Sequence, residues 1–197
     1  MKFTTDWVSG REDNFKACID AIETNNFYDG GRRFFLEIGS FEGRSACWLL
    51  QNGLPDDGYL VCIDPFYGVK GFDEANTNLR ETFDSNIAEV KKPTQTVEVI
   101  EDLSYFGLAK VIEDSPLVPF KFIYVDGAHN ARDTLTDLCM TWGLLAKGGT
   151  MLIDDYEWHH AEPEQERPKL AVDCFLEVFK GKYDLLFKNY QVGLKKL

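Results

Sequence analysis

Two groups of residues in this 197-residue chain have types and spacings that suit chemistry. The first is the stretch Glu37-Ile38-Gly39-Ser40-Phe41-Glu42-Gly43-Arg44-Ser45, followed by Asp64 in Cys62-Ile63-Asp64. Its glycines let a backbone approach a ligand, and a helix opening behind them would offer free N–H groups to a carboxylate. An aspartate ending the next strand can accept hydrogen bonds from both hydroxyls of a ribose. The E-x-G-x-x-x-G-x-S spacing departs from the tighter G-x-G-x-x-G that a dinucleotide pyrophosphate wants, which disfavours a nicotinamide-dependent oxidoreductase. Glu37 can equally serve to shape the loop, and Asp64 can be a turn residue ahead of Pro65.

The second group is Asp126 and the pair Asp154-Asp155, each ending an apolar run. On neighbouring strands these three carboxylates would converge on one crevice, where they repel unless a cation joins them. Hard oxygen donors favour Mg²⁺, or Ca²⁺ and Mn²⁺, with water completing the shell. A solvated strand-end turn is the plainer reading of Asp154 and Asp155. His129 follows close behind Asp126, and its near-neutral pKa suits a general base; beside the capping pattern Asn130-Ala131-Arg132-Asp133 it can also be an inert helix-end histidine. His159 and His160 follow the Asp pair in a His-, Glu- and Pro-rich loop. Phe66, Tyr67, Tyr156 and Trp158 could stack on an acceptor or pack the loops.

The elements that must position these groups alternate along the chain. Ser9-Gly10-Arg11-Glu12 has the S-x-x-E form of a capping box, and Phe15, Cys18, Ile19 and Ile22 follow at helical spacing. Short apolar runs predict strands at Phe34–Ile38, Tyr59–Ile63, Thr96–Ile100, Phe120–Val125 and Thr150–Ile153. Between them lie helical patterns at Gly43–Asn52, at Leu79 to Val90, around Leu108, Val111 and Ile112, and at Leu135 to Leu145, the last closed by Gly148-Gly149. Ala171, Phe175, Val178 and Phe179 mark a final helix, and Tyr183–Phe187 and Tyr190–Leu194 flank Lys188-Asn189 as a tight hairpin. The pattern predicts an α/β fold: a Rossmann-like, doubly wound, mostly parallel sheet with helices on both faces and a C-terminal antiparallel hairpin strand.

Composition narrows the partners. A net charge of −12 repels phosphate backbones and anionic lipid, so neither nucleic acid nor a membrane surface is expected. The N-terminus carries no apolar signal region and no apolar run reaches a membrane span, which predicts an untargeted cytoplasmic protein. Five scattered cysteines, Cys18, Cys47, Cys62, Cys139 and Cys174, read as buried thiols. At this length one domain, residues 1–197, is the expectation.

The Glu37–Ser45 loop with Cys62-Ile63-Asp64 resembles motifs I and II of class I S-adenosylmethionine-dependent methyltransferases, and the likeness covers nearly the whole chain. Tyr124 to His129, with Lys147 to Tyr156, is similar to the metal-dependent O-methyltransferase branch that includes macrocin-type sugar O-methyltransferases. The resemblance implies that Gly39, Ser40, Gly43 and Ser45 surround the methionine moiety of S-adenosylmethionine, that Asp64 holds the ribose, and that Glu37, Phe41 and Asp126 belong to the same cofactor site. It places Ser104 on the adenine side with Asp102 as neighbour, although Ser104 can equally cap the helix behind it. It makes Asp126, Asp154 and Asp155 ligands of a divalent cation, expected to be Mg²⁺, that lowers the pKa of an acceptor hydroxyl. It also puts His129, with Asp126, at the reacting end, where related enzymes place a lysine as base. The expected acceptor is a sugar or small metabolite; the alternative is a non-catalytic module that binds the cofactor or its product and acts through a partner. Cover over the acceptor would come from Met1–Asn26, Phe66–Asn78, Glu157–Pro168 or another subunit, so an open site or a homo-oligomer is expected.

Overall fold

The computed structural model describes residues 1–23, 33–67, 78–114, 119–160 and 163–197. Parts of all three expected covering segments therefore lie outside the described residues. Seven strands form one sheet: β1 (Phe34–Ile38), β2 (Tyr59–Ile63), β3 (Thr96–Ile100), β4 (Phe120–Val125), β5 (Leu145–Ile153), β6 (Tyr183–Lys188) and β7 (Val192–Lys196). Their order is β3-β2-β1-β4-β5-β7-β6. The strands from β3 to β5 pair in parallel, and β7 runs antiparallel to both β5 and β6. The chain winds outward from β1 to β3 and then restarts on the other side of β1 with β4, which makes the β1/β4 boundary the switch point where such sheets open a crevice.

Alternation along the strands divides the core. Leu36, Ile38, Val61, Ile63, Ile123, Val125, Met151 and Ile153 face helices α4 (Ser104–Asp114), α5 (Ala131–Leu144) and α6 (Pro168–Val178). Phe35, Leu60, Cys62, Phe122, Tyr124 and Leu152 face α1 (Glu12–Asp20), α2 (Arg44–Trp48) and α3 (Leu79–Val90). Burial on both faces explains why the strands read as continuous apolar runs rather than alternating ones. Each large side chain sealed in this way contributes about 1.5–3 kcal/mol.

Register sets the site. Ile38 pairs with Ile63 and with Val125, and Val125 pairs with Ile153. The residues that follow, Gly39, Asp64, Asp126 and Asp154, therefore emerge side by side at one end of the sheet.

Several local expectations are corrected. The Ser9–Glu12 capping box does not form: Ser9 Oγ donates to Asp6 (2.6 Å), Arg11 occupies the N-cap, and the Glu12 carboxylate accepts from the Gly10 N–H (2.5 Å). A nearby aspartate outcompetes the helix for the hydroxyl. The helix after Gly43 ends in a π-helical turn, Leu49–Gly53, whose Leu50 carbonyl accepts from Gln95 Nε2 (2.8 Å). Strand β5 starts at Leu145, directly after α5, so Gly148-Gly149 lies inside the strand, where pairing with β4 shifts register between Phe120 and Phe122. The hairpin turns over residues 189–191, closed by a 2.9 Å bond from the Asn189 N–H to the Gln191 carbonyl and a second of 2.9 Å from the Gln191 N–H to Asn189 Oδ1. Cys139 and Cys174 are exposed on the outer faces of α5 and α6, whereas Cys18, Cys47 and Cys62 are buried. No helix among the described residues is long and apolar enough to cross a membrane.

Candidate active site

The loop after β1 is built against backbone. Gly39 has φ +83°, and a Cβ there would stand 1.8 Å from the Asp126 carbonyl oxygen, so no side chain fits. Two carboxylates hold the loop from beneath. Glu37 Oε2 accepts from Ser40 Oγ (2.5 Å). Asp64 Oδ2 accepts from the backbone N–H groups of Ser40 (2.7 Å) and Phe41 (2.8 Å), and its Oδ1 from that of Phe66 (2.6 Å). Burial pushes Glu37 up to about 7, with the Ser40 hydroxyl acting the other way. Burial also holds Asp64 above the ordinary carboxylate range despite its three N–H donors. The reading of Asp64 as a ribose acceptor missed this second task, that of stapling the loop.

The N-terminal segment straps over the same loop. The Thr4 N–H and hydroxyl donate to the Glu42 carboxylate (2.6 and 2.9 Å). Asn86 of α3 donates to the carbonyls of Lys2 (2.8 Å) and Glu42 (2.9 Å). Trp7 lies 5.3 Å from Phe41, ring to ring. Glu42, Asn86 and Trp7 were not among the expected site residues. Asn86 carried a signal, since it is a polar residue on the buried helical face of Leu79, Phe83 and Ile87.

These parts enclose a cavity of about 220 Å³. Gly39, Ser40, Phe41, Ser45, Asp64, Ser104, Asp126 and His129 all line it, together with Trp7, Leu103 and Tyr124. Glu37 and Gly43 stand behind the loop rather than in the lining. Asp102 faces elsewhere: it accepts from Lys110 Nζ (2.7 Å) and from the Leu103 N–H (2.9 Å).

At the β4/β5 end of the cavity the acidic groups separate into two sets. Asp126, His129 and Asp155 each offer a ligand atom within 4.8 Å of the others. His129 Nε2 lies 2.9 Å from Asp155 Oδ2 and 3.9 Å from Asp126 Oδ1. Asp154 instead turns inward. It accepts from Tyr124 Oη and Gln191 Nε2 (3.0 Å), and Arg11 Nη1 lies 3.6 Å from its Oδ1. Tyr124 Oη also lies 3.0 Å from Asp126 Oδ2, and with one hydrogen it serves one carboxylate at a time. Tyr190 Oη donates to Asp155 Oδ1 (2.9 Å), while the Arg11 guanidinium sits 4.1 Å from the centre of the Tyr190 ring. Asp155 adopts φ +61°, a left-handed conformation that Asp tolerates better than most residues.

Charge repulsion is written into this cluster. Burial, and then the charges of Asp154 and Asp155, raise Asp126 well above the usual carboxylate range. Burial alone would lower His129, but its hydrogen bond to Asp155 and the nearby carboxylate charges win and raise it. Two carboxylate oxygens and one imidazole nitrogen fit a divalent cation. The nitrogen donor suits Mn²⁺ and later transition ions better than Mg²⁺.

Around this end, Trp158 packs 5.0 Å from His129, and His160 packs 5.2 Å from Trp158. Tyr156 is an anchor, buried and hydrogen-bonded to Asp173 Oδ1 (3.0 Å). Phe66 packs edge-on against Phe83 (5.4 Å), whereas Tyr67 is 85% exposed and is not among the residues lining the cavity.

Comparison with known proteins bears on what the cavity holds. A family model described as a methyltransferase domain matches residues 36–156, the span from β1 through Tyr156. An uncharacterized protein of Acanthamoeba polyphaga mimivirus is 27% identical over 130 residues, 66% of this chain; the chain spans about half, 54%, of that relative's length. Solved structures share the fold at low identity. An O-methyltransferase from Bacillus cereus in complex with SAH is 18% identical, with a TM-score of 0.66 over 98% of this chain and 82% of that one. A TDP-rhamnose 3'-O-methyltransferase of calicheamicin biosynthesis is 15% identical (TM-score 0.57; 93% and 76% covered). A putative rRNA-methylase from Clostridium thermocellum is 13% identical (TM-score 0.64; 99% and 98% covered).

Proposed function

The chain belongs to the methyltransferase-domain family, and from that premise we propose that it is a single-domain S-adenosylmethionine-dependent O-methyltransferase acting on a hydroxyl of a sugar or other small metabolite. The observation that carries this reading is the sharing of one cavity by two kinds of residue. The glycine loop and Asp64 line it at one end, and Asp126 and His129, which with Asp155 could hold a cation, line it at the other. The likeness to small-molecule and sugar O-methyltransferases supports the acceptor class. A net charge of −12 argues against an RNA acceptor, because a phosphate backbone would be repelled.

Asp126, His129 and Asp155 would hold the divalent cation. When bound, it supplies Lewis acidity that lowers the pKa of the acceptor hydroxyl. The glycine loop and Ser45 receive the methionine end of the cofactor, and Asp64 can accept from its ribose while keeping the loop in place. Methyl transfer forms one C–O bond, breaks one C–S bond and releases the hydroxyl proton. With its free nitrogen on the cation, His129 cannot take that proton, which then leaves to solvent; without the cation, His129 can accept it, with Asp155 to stabilise the imidazolium. Trp158, beside His129, offers a flat surface to an acceptor ring.

Titration of S-adenosylhomocysteine into the protein by calorimetry, beside an NAD control, tests the premise. Saturable binding of the first and none of the second is expected. Binding of NAD alone would overturn the reading. Loss of methyl transfer on neutral chelation, restored by Mn²⁺, is expected of the metal-assisted form, and transfer untouched by chelator would refute that part.

A further inference from the structure

The two carboxylates that face His129 are each met on one side by a tyrosine hydroxyl. Tyr190 Oη donates to Asp155 Oδ1 (2.9 Å), and Tyr124 Oη lies 3.0 Å from Asp126 Oδ2. The oxygens turned toward His129 Nε2 are the other two, Asp155 Oδ2 at 2.9 Å and Asp126 Oδ1 at 3.9 Å. Tyr124 divides one hydrogen between Asp126 and Asp154, whereas Tyr190 directs its hydrogen at Asp155. Tyr190 is itself held in place between β6 and β7. Its carbonyl accepts from the N–H of Tyr156, the residue after Asp155 (2.9 Å), and the Arg11 guanidinium lies 4.1 Å from its ring centre. Asp155 is fixed from its own backbone as well, at φ +61° with its N–H donating to Asp154 Oδ1 (2.8 Å).

We propose that Tyr190 is a positioning residue that sets which cation the cluster accepts: by occupying Oδ1 it holds Asp155 to one ligand oxygen and so selects a smaller ion such as Mn²⁺ over Ca²⁺. The proposal rests on the reading of Asp126, His129 and Asp155 as a cation site. Ca²⁺ takes roughly six to eight oxygens, and a carboxylate that chelates through both of its oxygens helps to reach that number. To bind Asp155 in that way, Ca²⁺ would have to displace the Tyr190 hydrogen, and a hydrogen bond to a charged acceptor is among the stronger ones. A smaller ion with room for fewer ligands gives up nothing when Asp155 offers a single oxygen, and Mn²⁺ accepts the imidazole nitrogen more readily than Ca²⁺ does. The hydroxyl thus acts on the ion through Asp155, without touching it.

The test is calorimetric titration of Mn²⁺ and of Ca²⁺ into the full chain and into Tyr190→Phe, which keeps the ring against Arg11 and removes only the hydroxyl. The quantity read is the ratio of the two affinities. The unmodified protein should bind Mn²⁺ more tightly than Ca²⁺. In Tyr190→Phe, with Oδ1 released, Ca²⁺ should gain on Mn²⁺ by about tenfold, the lower end of what the outer partners of metal ligands are worth. A tyrosine that merely packed the hairpin would weaken or spare both ions alike. A ratio in Tyr190→Phe within about threefold of the unmodified protein's therefore overturns the proposal, whatever happens to either affinity alone or to thermal stability. If the unmodified, folded protein binds neither ion, the cation reading itself fails and takes this one with it.

Discussion

Asp64→Asn separates the loop-holding task that the structure shows from the ribose contact proposed for the same residue. The carboxylate accepts from three backbone N–H groups, two on Oδ2 and one on Oδ1. An asparagine can turn its carbonyl oxygen to Ser40 and Phe41, but its NH₂ then faces the Phe66 N–H, donor against donor. One charge-assisted bond is lost, typically about 1.5–3 kcal/mol, and relief of a buried charge returns part of it. A net loss of about 1–3 kcal/mol follows, which for a chain of this size lowers Tm by about 3–10 °C. The assay is thermal and urea unfolding of the protein with no cofactor added. A residue that served ribose alone would leave that stability untouched. An unliganded Asp64→Asn within about 0.5 kcal/mol of the unmodified protein would therefore refute the loop-staple argument.

Four further outcomes are expected. Glu37 and Asp137 both titrate near 7 when folded, above their unfolded values of 4.5 and 3.8; their contribution to stability is full below those values and is lost as pH rises toward 7. Glu37→Gln should therefore gain stability relative to the unmodified protein at pH 8 and show little difference near pH 4, read from urea midpoints across that range. Mn²⁺ at about a hundred times its Kd should stabilise the protein by about 2.7 kcal/mol; His129→Ala should abolish that shift, and an undiminished shift would remove His129 from the ligand set. Asp154→Asn should keep the Mn²⁺ shift but lower Tm, because Tyr124, Gln191 and Arg11 lose their charged partner; loss of the shift would restore Asp154 as a ligand. Gly39→Ala should yield little folded protein by circular dichroism, since its Cβ overlaps the Asp126 carbonyl.

Elements were legible where local pattern decides them. The buried strands β1, β2 and β4, the half-exposed strand β3 and the Asn130 cap of α5, whose side chain accepts from the Asp133 N–H (3.0 Å), follow from apolar runs and capping chemistry within a few residues. The convergence of Gly39, Asp64, Asp126 and Asp154 at one end was readable because each follows a strand of a parallel sheet. What could not be read was the direction of each side chain once there. Asp154 turns inward because Arg11 and Gln191, distant in sequence, reach it, and that leaves His129 beside Asp126 and Asp155. The strap was equally hidden: Thr4 meets Glu42 across 38 positions with no periodic signal to announce it. The capping box at Ser9 failed for a related reason, an acceptor at Asp6 that a four-residue motif does not include.

The contact between Gly39 and the Asp126 carbonyl also governs how such a protein can be altered. Where two backbones touch, neither can be shifted to suit a new ligand without moving the other, so the floor of the cavity is inherited as a unit. Its rim is another matter: among the described residues the strap before α1 meets that floor through bonds to the Glu42 and Asn86 side chains, and Trp158 meets it by packing on His129. A library aimed at new acceptors would gain most by diversifying Trp7, Tyr67 and Trp158 while leaving the glycine loop fixed. Divergence among relatives should accordingly concentrate at the rim.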